Sequence, residues 1–90
     1  MTAEDILNQV KEILTARGKD RDSKQERSMA KAVQIFNAVN DRDITEQEGW
    51  DFMLCLKLAR SRQGNFRTDD YLDLVGYAAL EAECAINQSN

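Results

Sequence analysis

Apolar residues recur at helical spacing in four stretches, and a capping signal opens each one. Ile6, Leu7, Val10, Ile13 and Leu14 form the first stripe. Thr2 and Asp5 stand before it, three apart, with a short acid in place of the usual Glu of a capping box. Gly18 is a left-handed stop signal, so the pattern predicts a helix over 3–17. Arg17 to Asp22 reads as a charged linker. Ser23 and Glu26 make a second capping box, and Met29, Ala32, Val33, Phe36 and Val39 follow as the buried stripe of a helix over 23–40. Asn40 to Ile44 is a polar turn. Thr45 and Glu48 open a third helix, over 45–63, that Gly64 ends. Thr68 is the expected N-cap of a fourth, over 68–87, with Asp69 and Asp70 in the first turn where the helix dipole favours acids.

The third helix has an unusual pattern. Trp50, Met53 and Leu54 make one apolar face, and Phe52, Leu56 and Ala59 make another. A helix apolar on two sides is central in a core or lies at a subunit contact. Lys57 falls on the Trp50 side, where a lysine either snorkels outward or meets an acid from elsewhere. In the fourth helix, Asp73 shares a face with Asp70 and Tyr77. Gly76 costs that helix roughly 1 kcal/mol against alanine, so close approach of another helix is its natural reason.

Composition narrows the class. Ninety residues with no proline and four glycines predict one all-α domain over 1–90, a four-helix unit that is a homo-oligomer through helices three and four. A chain of this size buries only about 60–65% of its unfolded surface, and association would offset that shortfall. The net charge of −4 comes from interleaved acids and bases, which predicts no general DNA binding. Cys55 and Cys84 lie in apolar runs and are expected as buried free thiols. The first residues carry acids where a signal peptide carries bases, and no apolar run spans a membrane, so a cytoplasmic protein without membrane contact is expected.

The chain has no histidine, which removes the commonest general base and the usual zinc ligand. Catalysis would rest on carboxylates and a hard cation such as magnesium. Glu48 with Asp51, and Asp70 with Asp73, are i, i+3 pairs at the starts of helices three and four. In an antiparallel hairpin those starts lie roughly 20 Å apart, so one chain would not close a metal cage, whereas a second chain would. A mixed face of Lys57, Arg60, Asp73 and Tyr77 has two readings. One is a salt-bridge cluster that fixes helix register. The other is a ligand site, with cations on phosphates and the tyrosine against a base. Between Lys57 and Arg67 there are four cations and no acid. Trp50, Phe52, Met53 and Phe66 read as core, or as a patch for a protein partner.

Two resemblances bear on function. The carboxylate pairs resemble the E-x-x-E…E-x-x-D pattern of MazG-like all-α nucleotide pyrophosphohydrolases, and DYLDLVGYAAL is similar to that family's last helix; here aspartate replaces glutamate at two of the four acids. That resemblance implies a magnesium-dependent hydrolase using Glu48, Asp51, Asp70 and Asp73. The blocks ERSMA (26–30), FNA (36–38), TEQEGW (45–50), FMLCLKLAR (52–60) and DDYLDLVGYAAL (69–80) are similar to a family of small uncharacterised tailed-phage and prophage proteins. This second resemblance implies an accessory protein in the bacterial host cytoplasm, and it transfers no catalytic residue. The leading expectation is a non-enzymatic binding protein that counteracts or modulates a host system, such as a defence system, with a nucleotide favoured over a host protein as ligand. The alternatives are the MazG-like hydrolase and an inhibitor of a host protein with no small ligand.

Overall fold

The computed structural model describes the backbone of residues 1–21 and 28–89, with side chains for 1–17 and 28–89. The chain is an all-α, four-helix domain: α1 is Ala3–Arg21, α2 Ser28–Asn40, α3 Glu46–Ser61 and α4 Thr68–Gln88. Both capping boxes expected at described residues form. Thr45 and Glu48 bond reciprocally, the Thr45 hydroxyl accepting from the Glu48 N–H at 3.1 Å and the Glu48 carboxylate accepting from the Thr45 N–H at 2.8 Å. Thr2 and Asp5 do the same at 3.1 and 2.9 Å. The expected Ser23–Glu26 box lies outside the described residues.

Helix ends depart from the pattern in three places. α1 runs through Gly18 to Arg21, so residues 17–21 are helix rather than linker. A glycine stops a helix only where the next residues turn the chain away, and Lys-Asp-Arg with no proline behind it lets one more turn form. α3 ends at Ser61, with Arg62 as its C-cap, and Gly64 takes the left-handed conformation (φ 66°) two residues later, in the turn. Arg67, not Thr68, is the N-cap of α4, and no cap side chain bonds the first-turn N–H groups there. Between α2 and α3, the Asn37 side chain clamps the turn by donating to the Ile44 carbonyl at 3.0 Å and accepting from its N–H at 2.9 Å.

α3 and α4 form an antiparallel hairpin, since Gln47 meets Glu81, Trp50 meets Tyr77 and Lys57 meets Asp73. α1 packs on α4 and α2 on α3; among the described residues no other helix backbones pack together. The domain therefore has its helices in contact in the order α1, α4, α3, α2. Val10, Val33, Trp50, Leu72 and Leu80 are its buried apolar residues. The expected α2 stripe is only partly used. Val33 is buried and Met29 half-buried, while Ala32, Phe36 and Val39 are exposed, because among the described residues α2 has one neighbour to bury against. The second apolar face of α3 likewise divides: Leu56 is half-buried, whereas Phe52 and Ala59 are exposed. Cys55 and Cys84 are free thiols, but Cys55 is exposed and Cys84 half-buried, not buried as expected. No helix among the described residues is long and apolar enough to cross a membrane.

Candidate functional site

Asp73 sits on the second turn of α4, where it reaches both α1 and α3. Its Oδ1 is 3.1 Å from Arg17 Nη2 of α1, and its Oδ2 is 3.1 Å from Lys57 Nζ of α3. Lys57 is 9% exposed, the one buried charged residue among those described. Its ammonium also lies 5.8 Å from the centre of the Tyr77 ring, within cation–π range, and Tyr77 in turn lies 5.8 Å from Trp50 at a 38° tilt. Three of the four expected ligand residues, Lys57, Asp73 and Tyr77, are thus brought together. The fourth, Arg60, is exposed and turns toward the α3–α4 turn, and Arg17 completes the cluster instead. With both carboxylate oxygens bonded to cations, Asp73 binds the helices to one another, which is the register-fixing reading of this face.

The carboxylates of the hydrolase reading stay apart within one chain. Glu48 is occupied in the α3 capping box, and Asp73 in its two ion pairs. Asp51 stands beside the Glu81 carboxyl of α4, and among the described residues no three acids or thiols group closely enough to hold a metal ion. Asp70 lies at the opposite end of the hairpin from Asp51. The Glu81 carboxyl is pushed above its ordinary range, first by the hydrogen bond to Asp51, then by partial burial and the Asp51 charge; the Gln47 amide, 3.5 Å away, opposes the shift. A carboxyl raised in this way binds its proton more tightly folded than unfolded. Its contribution to stability is present at low pH and is lost as pH rises through the raised value. Glu81→Gln should therefore raise the melting temperature at pH 7, by the equivalent of about 0.5 kcal/mol because solvent screens the pair. The gain should shrink as pH falls below the carboxylate range; thermal scans across pH check it, and a gain independent of pH would contradict the raised Glu81 carboxyl.

The Cys84 thiol is also pushed up, by burial and by Glu46, Glu81 and Glu83 nearby. It borders a small depression of about 170 Å³ with Glu46, Trp50 and Leu80. A protonated thiol among acids is a weak nucleophile.

The turn between α3 and α4 carries a different chemistry. Phe66 is 75% exposed and stacks on Tyr71, ring centres 5.9 Å apart at 27°. The same turn holds an open depression of about 460 Å³ lined by Arg60, Gln63, Gly64, Asn65, Arg67 and Asp70. Arg62 is exposed in the same turn. The uncapped N-terminus of α4 opens here, so main-chain N–H groups add to the arginines. The run of cations was visible in the sequence. The Phe66–Tyr71 pair was not, because Phe66 has the composition of a core residue and its exposure is a tertiary property.

A family model described as a domain of unknown function (DUF6378) matches residues 5–85. No curated protein and no solved structure matches the chain.

Proposed function

The chain belongs to the DUF6378 family of domains of unknown function, and from that premise we propose that it is a binding protein without chemistry of its own. Its ligand is a nucleotide, held at the α3–α4 turn. The observation that carries this is the uncapped helix start of α4 opening into an arginine-lined depression beside an exposed aromatic pair. Phosphates suit Arg60, Arg67 and the free N–H groups. A base suits the outer ring face of Phe66 or Tyr71, because every base has a π-face to stack. Asp70 and the amides of Gln63 and Asn65 suit the hydroxyl and amino donors of a nucleoside, which inorganic phosphate lacks.

This places the ligand one turn further along the hairpin than Lys57 and Asp73, whose charges already satisfy each other. In the phage or prophage setting that the sequence blocks resemble, such a protein would act by sequestering a nucleotide that its host uses as a signal. Catalysis is not part of the reading, since Asp51, Asp70 and Asp73 have separate partners or positions within the chain.

Equilibrium dialysis against a panel of linear and cyclic nucleotides tests the site. Arg60→Ala with Arg67→Ala should weaken binding about tenfold or more, the scale of one lost charge-assisted hydrogen bond. Phe66→Ala should weaken it by a similar factor. These side chains are exposed or sit in the turn, so helicity should not change. Native affinity in the double arginine variant would place the ligand elsewhere.

A further inference from the structure

We infer that the chain pairs with a second copy of itself through the outer face that α2 and α3 share. Helices of a stable domain bury their apolar stripes against neighbours, and α1 and α2 each pack on one helix among the described residues. The shortfall concentrates on α2, whose one described neighbour is α3. Phe36, Val39 and Ile35 continue an apolar strip around its outer side, 45%, 75% and 56% exposed. On α3, Phe52 is 69% exposed, and Cys55 and Ala59 prolong its stripe at i, i+3 and i+7. Between the helices runs a groove of about 490 Å³, with Met29, Val33, Gly49 and Met53 in it and Phe36 and Phe52 at its sides.

Three observations select a second copy as the occupant. First, the uncovered surface belongs to the core itself. Among the described residues no large side chain is fully buried, so the cover is needed whenever the chain is folded, and a second copy is the one partner always present. Second, the projecting Phe52 and the groove that would receive it lie on the same face, which a two-fold pairing requires. Third, the groove lining carries one charged residue, Glu48, and its carboxylate is held by the Thr45 N–H in the α3 capping box, so the surface offered to the second copy is mainly apolar. The exposed parts of Ile35, Phe36, Val39 and Phe52 amount to roughly 400–500 Å² of apolar surface. With the groove floor and its polar surround this approaches the ~800 Å² that each partner gives to a standard interface.

Sedimentation equilibrium across micromolar concentrations tests the pairing. The native chain should run at twice its 10.3 kDa mass. Phe52→Glu and Val39→Lys should each run at the single-chain mass with native helicity. Val39 faces solvent, so its variant decides the matter if Phe52→Glu fails to fold. Maleimide labelling gives a second readout: Cys55 should be protected in the native protein and open in both variants. A native chain at single-chain mass throughout would overturn the proposal. So would a native assembly that both variants leave intact, with Cys55 still labelled.

Discussion

Asp73→Ala should cost about 3–5 kcal/mol of folding stability, whereas Lys57→Met should cost about 1 kcal/mol or less, although the two residues are partners in one ion pair. The asymmetry follows from the geometry. Asp73 is the acceptor for two cations, and Lys57 is the less exposed of them, with 11% of its side chain accessible against 38% for Arg17. Removing the carboxylate leaves a buried ammonium with no acceptor and releases α1 and α3 from α4 together. Arg17 can swing into water, but Lys57 is buried with its ammonium against the Tyr77 ring. Removing the lysine leaves Asp73 still bonded to Arg17, and methionine fills the vacated volume against the aromatic rings. Urea unfolding at neutral pH measures both. Equal losses would mean that Asp73 is not the shared anchor of the three helices.

Gly49 and Gly76, each within a helix, should respond with opposite signs to the same substitution. At Gly49 an added Cβ would lie 2.5 Å from Met29 Sδ and 2.8 Å from Val33 Cγ2. Methionine can yield, but a β-branched valine inside the contact cannot move far without moving α2. Overpacking costs about 1–3 kcal/mol, and the gain in helix propensity returns about 1 kcal/mol, so Gly49→Ala should be a net loss. At Gly76 the Cβ would meet Val10 Cγ1 at 3.6 Å and Leu14 Cδ2 at 3.9 Å, ordinary contact distances. Gly76→Ala should therefore stabilise the chain, by up to about 1 kcal/mol. Thermal unfolding of the two variants gives the comparison, and a loss of the same size at both positions would refute it.

These glycines also mark what a sequence can carry. Gly76 draws notice because it interrupts a helical pattern, and α1 does lie over it. Gly49 is the tighter contact, yet it sits in the first turn of a helix beside a capping box, where a glycine has no evident cost to explain. Caps were legible for the same reason that the α2–α3 crossing was not. Thr45 and Glu48 act on each other within one turn, while Gly49 acts on residues that the chain brings back from sixteen to twenty positions away. The site divides along the same line. An antiparallel α3–α4 hairpin follows from a short turn, so Lys57 opposite Asp73 could be expected. Arg17 could not, because its place depends on α1 crossing to α4 rather than to α2, and nothing local decides between them. Arg60 lies almost one turn beyond Lys57, and there it lines the depression at the α3–α4 turn with Asp70.

The account turns on binding without turnover, and one chromatographic assay tests that most directly. Purified native protein in excess would be incubated with magnesium and each of a panel of linear and cyclic nucleotides, and free nucleotide measured before and after heat denaturation of the protein. The account predicts that one class of nucleotide is depleted and then recovered intact on heating. Appearance of monophosphate and pyrophosphate would contradict it in favour of hydrolysis, and no depletion of any nucleotide would contradict the ligand itself.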